Sequence, residues 1–242
     1  GNILAAADIT PTLGWRVPVQ VHRYWELENG QLVLRYTIKN TTDERVEIGA
    51  LGIPMVFNNI LTGKDLDTAH AICSFYDPYI GQDAGYLQVT RLNGHGPALI
   101  VVPDANTPFE AYKPLNEDKT QRGITFEGFY EWMVHTKAFT EREWSEAEPW
   151  NPASSEILEP GESRDFSVRF LLSESIRDIE PTLIKNEKPV AVGFPGYVLP
   201  QDEIGSLYLN FNNDIEWIEV TPKGSVILKE KDPTKNGWKA FK

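Results

Sequence analysis

Two runs of alternating apolar and polar residues, separated by an Asn-Gly pair, constrain the fold of this chain more than any other feature. Every second residue is apolar in residues 17–21 and again in residues 32–38, which is the period of a half-buried strand. Asn29-Gly30 lies between the two runs and tolerates the positive φ angles of a type I′ hairpin turn. The turn-like sequence NTTDE and the apolar alternation at residues 46–50 then predict a third strand. The segment therefore predicts an antiparallel meander with one buried face.

Similar strand signals recur further along the chain. Residues 86–91 and 99–102 are predicted strands on either side of Asn93-Gly94, and residues 166–172 alternate after a Pro-Gly turn. Strands at regular intervals with few helices are typical of stacked antiparallel sheets, because stacking buries the inner face of each sheet. The chain is therefore predicted to be all-β, a large antiparallel β-sandwich with one or two short helices.

Two helical segments are predicted. Thr140 and Glu143 have the spacing of a capping box, and Phe139 and Trp144 have the spacing of a hydrophobic staple. We therefore expect a helix that begins at Thr140 and ends before the next proline. A second helix is predicted over residues 175–187, where three apolar residues share one face before a proline.

The sequence changes character after residue 188, which divides the chain into predicted segments. These are an extended or expression-derived N-terminus (1–14), the sandwich (15–188), a linker (189–196) and a second, Ig-like β domain (197–242) with short strands at 206–210, 215–220 and 226–228. The last residues, GWKAFK, fall within a predicted strand, and a segment of about 45 residues seldom forms a stable core alone. We therefore expect this second β domain to be incomplete, the start of a longer one.

The charge of the chain limits the partners that it can bind. A formal net charge of −12 at pH 7 and a sequence pI of about 4.8 disfavour nucleic acid and anionic membrane surfaces and favour neutral or cationic ligands. No apolar run approaches the roughly 20 residues of a membrane-spanning helix. The first residues, GNILAAADITP, lack the basic and apolar regions of a signal peptide. Asn40-Thr41-Thr42 has the form of an N-glycosylation sequon.

The sequence lacks the patterns that hold cofactors and metals. It contains no Walker A or dinucleotide-binding glycine pattern and no closely spaced Cys/His set for zinc. Asp65 and Asp67 lack the spacing of a calcium-binding loop. Cys73, the single cysteine, is typical of a small buried apolar residue. We therefore expect no cofactor and no metal.

Residues 130–152, YEWMVHTKAFTEREWSEAEPWNP, combine three tryptophans with a histidine and several glutamates. If the first part forms a strand, Glu131 and His135 share one face, while Tyr130 and Trp132 share the other. One interpretation is a catalytic Glu131–His135 pair at a sugar cleft, with Tyr130, Trp132 and His135 in contact with the sugar, because aromatic rings pack on the apolar faces of pyranosides and polar side chains bond the hydroxyls. The other is an aromatic core strand with its polar side in water.

Other aromatic residues are candidates for binding a sugar. Trp150 lies in a proline-flanked loop and is predicted either to stack on a ligand or to dock another domain, whereas Trp144 serves the staple. Tyr76 and Tyr79 lie in the loop-like segment 68–86, which also carries acidic residues. They are predicted either to bind sugar or to belong to an ordered surface loop.

Several stretches resemble a known fold family. Residues 28–58, ENGQLVLRYTIKNTTDERVEIGALGIPMVFN, and residues 158–172, LEPGESRDFSVRFLL, resemble the galactose-mutarotase-like β-supersandwich. Such domains precede an (α/α)6 toroid in many glycoside hydrolases and some polysaccharide lyases. The stretches EWMVHTKAFTEREW and PVAVGFPGYVLP resemble a bacterial and fungal family of unknown function with that order of domains.

In enzymes of this layout the catalytic carboxylates usually come from the toroid, and nothing in this sequence resembles one. The resemblance therefore implies the N-terminal β-sandwich region of a carbohydrate-active enzyme, structural and cleft-lining, that is not catalytic alone. The implied partners are an oligo- or polysaccharide and a C-terminal helical catalytic domain. The resemblance also favours a secreted or periplasmic location.

Two alternatives remain open. A stand-alone aldose epimerase of mutarotase type needs a glutamate and a histidine that face one another across a sugar-sized groove. The candidates for that pair are Glu127 or Glu131 with His70, His95 or His135. A carbohydrate-binding module would instead use tryptophan faces, with Trp132, Trp144 and Trp150 as its candidates.

Overall fold

The computed structural model of the chain describes residues 2–14, 16–115, 128–231 and 237–242. The chain divides into two compact units, Gly1–Ile176 and Arg177–Lys242. The strands of the first unit are β1 (Asn2–Asp8), β2 (Val19–Glu28), β3 (Gln31–Asn40), β4 (Val46–Ile48), β5 (Leu51–Met55), β6 (Ser74–Tyr79), β7 (Tyr86–Arg91), β8 (Ala98–Pro103), β9 (Ala111–Pro114), β10 (Tyr130–His135), β11 (Glu156–Leu158) and β12 (Ser163–Ser173).

Short helices complete the two units. The first unit contains α1 (Leu66–Ile72), α2 (Lys137–Thr140) and a 3-10 turn at Thr10–Thr12. A second 3-10 turn, Ile176–Asp178, leads into the elements of the second unit, α3 (Ile179–Lys185), β13 (Val190–Phe194), β14 (Ser206–Asn210) and β15 (Lys239–Phe241). None of the helices in the described ranges is long and apolar enough to cross a lipid bilayer.

The described residues of the first unit form three antiparallel sheets. The largest has seven strands in the order β1-β2-β3-β12-β8-β7-β6. A three-stranded sheet has the order β5-β10-β9, and β11 pairs with β4. Val21, Val101 and Phe166 of the large sheet share one buried cluster with Ile53 and Trp132 of the three-stranded sheet. The predicted all-β sandwich is therefore confirmed.

The hairpin between β2 and β3 has the predicted geometry. Glu28 pairs with Gln31, and the two residues between them, Asn29 and Gly30, have φ angles of 50° and 78°. Two consecutive positive φ angles define the type I′ turn that matches the twist of paired strands. The prediction of this hairpin is confirmed.

The predicted pairing of the third strand of the meander is wrong. β4 lies where the strand was expected, but it pairs with β11, and the second neighbour of β3 is β12. The side chain of Asn40 explains the departure, because its amide donates to Glu44 O at 2.8 Å and to Leu158 O at 3.0 Å. Asn40 is fully buried, so the folded chain does not present it for glycosylation.

The segment predicted as a loop at residues 68–86 contains α1 and β6 instead. Asp65 caps α1, since its carboxylate accepts from the backbone N–H of Thr68 at 2.9 Å. β6 pairs with β7 along its whole length, although Pro78 in its sequence argues against a strand. The loop prediction was wrong because β6 lies at the edge of the large sheet, where a proline is tolerated.

The predicted capping box at Thr140 is also wrong. α2 ends at Thr140, whose hydroxyl donates to Lys137 O at 2.9 Å, and turns follow. The contact expected from the staple is nevertheless present, because the rings of Phe139 and Trp144 stack with centroids 4.8 Å apart.

The second unit contains the other predicted helix and part of the predicted strands. α3 buries Ile179 and Leu183, as its apolar spacing predicted. It packs on β13, a strand that lies within the segment predicted as a linker. β14 matches the strand expected at 206–210, with β13 and β15 as its two neighbours. Residues 215–220 and 226–228 are not strands. Their apolar residues satisfied the pattern, but both edges of β14 are occupied by other segments.

Candidate functional site

A groove of about 240 Å³ opens beside β9 in the first unit. Segments around β9, α2 and the loop at 147–151 form it. Its lining residues are Ile80, Glu110, Ala111, Tyr112, Thr136, Thr140, Trp144, Ala147, Glu148, Pro149, Trp150 and Asn151. The groove is therefore lined by aromatic rings, hydroxyls and two carboxylates.

The aromatic walls of the groove are held by their own packing. Trp144 stacks on Phe139, and Tyr112 stacks on Tyr130 with centroids 4.8 Å apart. Trp150 is different, because 84% of its surface is exposed. Its loop is nonetheless tied to the sheet, since the next residue, Asn151, donates its amide to Glu110 O at 3.0 Å. The loop thus holds an exposed indole at the groove.

A buried carboxylate lies at the floor of the groove. Glu110 precedes β9 and is almost fully buried. Its oxygens accept from the Thr136 hydroxyl at 2.7 Å, from the Ser154 hydroxyl, and from the Ser154 backbone N–H at 3.3 Å. Both hydroxyls therefore donate to Glu110. These bonds fix its orientation.

His135 continues this hydrogen-bonded chain away from the groove. Its Nδ1 lies 2.7 Å from Ser154 Oγ. Since the single hydroxyl proton of Ser154 goes to Glu110, Nδ1 carries a proton and donates. Nε2 is buried and has no hydrogen-bond partner within the described residues. Burial lowers the pKa of His135, although the carboxylates of Glu110 and Glu156 oppose that shift, and the ring is therefore neutral near pH 7.

The Glu110–Ser154–His135 chain contains the residue types of an acyl-transfer triad in the wrong order. In such a triad the histidine lies between the acid and the nucleophile, so that it takes the nucleophile's proton. Here the serine lies between the acid and the histidine, and its proton is already bonded to the carboxylate. The chain therefore supports the floor of the groove and does not activate a nucleophile.

A β-bulge in β10 separates the two residues predicted as a catalytic pair. Met133 pairs with Gly52 of β5, but the next residue of β5, Leu51, pairs with His135 and not with Val134. Because paired residues share a face and neighbouring residues of β5 point to opposite faces, His135 lies on the face opposite to Met133. The alternation from which the pair was predicted is shifted by one residue at this point.

The contacts of the two residues agree with opposite faces. Glu131 lies on the Met133 side and forms an ion pair with Lys113 across the strands, at 3.3 Å. The ring of His135 instead packs edge-on against Phe166 in the core, with centroids 5.6 Å apart. The prediction that Glu131 and His135 share a face is wrong, and each has a different structural partner.

Two of the predicted sugar contacts lie inside the core. Trp132 is fully buried and stacks on Phe109 with centroids 3.8 Å apart, and its Nε1 donates to Pro108 O at 3.1 Å. Tyr76 is buried as well, with its hydroxyl 3.3 Å from Phe57 O. Neither ring offers a face to a ligand. The interpretation of Trp132 as a core residue fits the structure.

The other candidates that the structure describes lie in different parts of the first unit. Tyr79 stacks on Tyr86 with centroids 4.4 Å apart, and Tyr130 stacks on Tyr112; neither Tyr79 nor Tyr130 is among the described lining residues. His70 lies on α1, and His95 lies in the turn between β7 and β8. Glu127 lies outside the described residues. Trp144 and Trp150 line the groove.

Several groove residues escaped the sequence reasoning, among them Glu110, Tyr112, Thr136 and Asn151. The signal that could have identified Glu110 is its position as a lone acid between Phe109 and an alanine, since carboxylates in such apolar stretches are seldom buried without a reason. Within the described ranges, His, Cys, Asp and Glu side chains form no group suited to a metal ion.

Comparisons with known proteins place this fold. No curated protein matches the chain. A solved structure named Polysaccharide Lyase BACCELL_00875 matches with a TM-score of 0.61 and 15% sequence identity, over 81% of this chain and 26% of that one. This chain thus spans about a quarter of the length of that protein, and at this identity the likeness shows the fold alone. The profile of a family of unknown function (DUF5695) matches residues 1–242. The chain therefore belongs to the DUF5695 family.

Proposed function

We propose that this chain is the β-sandwich region of a carbohydrate-active enzyme, that its groove binds part of a saccharide, and that it does not perform the chemistry alone. The observation that carries the proposal is the groove in which the exposed Trp150 and the packed Trp144 accompany the carboxylate of Glu110. Under this proposal the protein acts on an oligo- or polysaccharide in a secreted or periplasmic setting.

The chemistry of the groove suits a sugar. Indole faces pack against the apolar C–H faces of a pyranoside, and the surrounding oxygens bond its hydroxyls. Thr140 and Glu148 supply oxygen acceptors in the lining. A volume of about 240 Å³ is below the range of about 300–1,000 Å³ that is typical of sites for whole small ligands. The groove therefore suits one or two sugar units of a longer chain.

The buried carboxylate argues against catalysis by this chain alone. A general acid or base must have its proton or lone pair available to the substrate. Both oxygens of Glu110 are occupied by Thr136 and Ser154, and Glu148, the second carboxylate among the described lining residues, is exposed. The galactose-mutarotase-like resemblance and the much longer lyase that shares the fold support a catalytic domain elsewhere in a longer protein.

The alternative of a stand-alone aldose epimerase finds less support. It needs a glutamate and a histidine that face one another across a groove, whereas Glu131 is bound to Lys113 and His135 packs against Phe166 in the core. Polarimetry of freshly dissolved aldoses measures this directly. We expect no acceleration of mutarotation, and an acceleration proportional to protein concentration would contradict the proposal.

Affinity electrophoresis through gels that contain soluble polysaccharides tests binding by the groove. We expect at least one polysaccharide to retard the native chain and Trp150→Ala to weaken the retardation by about three- to tenfold, the equivalent of one lost aromatic contact. The matched control is Trp217→Ala in the second unit, since Trp217 is also a highly exposed tryptophan, at 71%. Absence of retardation across the panel, or an equal loss in both variants, would contradict the proposal.

A further inference from the structure

We infer that the groove selects neutral pyranosides and discriminates against uronic acids. This inference rests on the proposed function and adds the class of sugar to it. Two features carry it, the charge of the groove lining and the fixed state of the carboxylate at its floor.

The lining of the groove is acidic. Glu110 lies at the floor and Glu148 in the loop beside Trp150, and the lining residues that the structure describes include neither lysine nor arginine nor histidine. A uronate that stacks on Trp150 would add its carboxylate to those of Glu110 and Glu148, and no cation of the described lining would offset it. Like charges juxtaposed in this way suppress the wrong ligand.

The lysines of the neighbouring elements are already paired. Lys113 on β9 binds Glu131 at 3.3 Å, and Lys137 on α2 binds Glu47 at 2.7 Å. Recruiting either lysine to a uronate would break an existing ion pair. Arg142, in the turn that follows α2, is exposed and does not belong to the lining. None of these three basic side chains therefore neutralises the acidic character of the described groove lining.

The charge at the floor is also fixed in place. Glu110 is almost fully buried and held by the hydroxyls of Thr136 and Ser154, so it cannot turn away from an incoming anion. Burial reduces screening by water and strengthens the field that the carboxylate exerts in the groove. A neutral sugar experiences no such repulsion, and its hydroxyls can donate to the exposed carboxylate of Glu148.

Matched pairs of oligosaccharides test the inference, each pair sharing its ring configuration and differing at C6: galacto- against galacturono-oligosaccharides, and manno- against mannurono-oligosaccharides. Calorimetric titration into the native chain at low ionic strength measures both members. We expect a neutral member to bind and its uronate partner to bind at least about tenfold more weakly, because electrostatic repulsion is least screened there.

Two variants test whether the carboxylates of the groove cause the selectivity. Glu148→Gln and Glu110→Gln each remove one carboxylate. We expect either change to narrow the gap, which is the difference in binding affinity between a neutral sugar and its uronate partner. Glu146→Gln is the control, because Glu146 is an exposed acid of the same segment outside the lining, and it should narrow the gap less. Uronates that bind as tightly as neutral sugars, or a gap that is equally narrowed by Glu146→Gln, would overturn the inference and leave the proposed function standing. Absence of binding by either class would overturn both.

Discussion

Replacing Trp132, the first tryptophan of residues 130–152, by phenylalanine distinguishes a core role of this side chain from a ligand-binding role. The ring of Trp132 is fully buried on Phe109, and its Nε1 donates to Pro108 O at 3.1 Å. Phenylalanine preserves the ring stack and removes both the donor and part of the volume. The change therefore measures two defined losses in the core.

The expected loss of stability follows from these contacts. A buried hydrogen bond contributes about 1 kcal/mol net. The smaller ring leaves a void of a few tens of Å³, which at about 24 cal/mol per Å³ costs roughly another 1 kcal/mol. We therefore expect Trp132→Phe to lower the free energy of unfolding by about 2 kcal/mol, as measured by urea denaturation followed by far-UV circular dichroism.

Trp150→Phe is the matched control, because the same chemical change is made at a side chain that is 84% exposed. Surface substitutions of this kind usually change stability by less than about 0.5 kcal/mol. A core role of Trp132 is refuted if Trp132→Phe is as stable as the native chain, or if Trp150→Phe lowers the free energy of unfolding by as much. In sugar binding we expect the reverse order, with only Trp150→Phe changing affinity.

Three further predictions concern stability. Gly85→Ala should lower the free energy of unfolding by about 1–3 kcal/mol, because a Cβ there would lie 2.9 Å from a backbone nitrogen and 3.0 Å from a backbone oxygen. Gly14→Ala is the control in the same urea assay. It should be nearly neutral, because a Cβ at Gly14 meets no described atom within 4 Å. Asn40→Ala should cost roughly 2–4 kcal/mol, at about 1 kcal/mol for each hydrogen bond that its buried amide makes, and the exposed Asn58 provides a milder control. Because burial lowers the pKa of His135, the unfolded chain binds a proton that the folded chain does not as pH falls below about 6.5. The melting temperature should therefore decline from that pH toward the lowered pKa of His135, and His135→Gln should flatten this part of the profile; an unchanged profile would contradict the assignment.

Features that depend on neighbouring residues could be predicted from the sequence, and features that depend on distant partners could not. Asn29-Gly30 specifies its turn through its own backbone preferences, so the hairpin followed directly. The pairing of β4 with β11 depends on Asn40, which bonds a carbonyl 118 residues away. The bulge in β10 is likewise defined by its pairing with β5, and no local pattern within Tyr130–His135 predicts it.

The same distinction applies to the groove. Trp150 was a candidate because its proline-flanked loop is visible in the local sequence. Glu110 was not, because its position depends on Thr136 and Ser154, which lie 26 and 44 residues further along the chain. No local pattern brings those three together, since strand pairing and the loop tie through Asn151 place them.

The position of β12 in the large sheet has a consequence for how the chain folds during synthesis. β12 lies between β3 and β8 and joins two groups of strands that are encoded earlier, with partners such as Thr37 and Asp165 lying 128 residues apart. Until residues 163–173 leave the ribosome, β3 and β8 each present an open edge, the condition under which strands pair with other chains. Contacts of such long sequence separation also form slowly. A chain interrupted before residue 163 should therefore aggregate rather than fold into a smaller sandwich, and a chaperone that shields strand edges should raise the yield of the complete one.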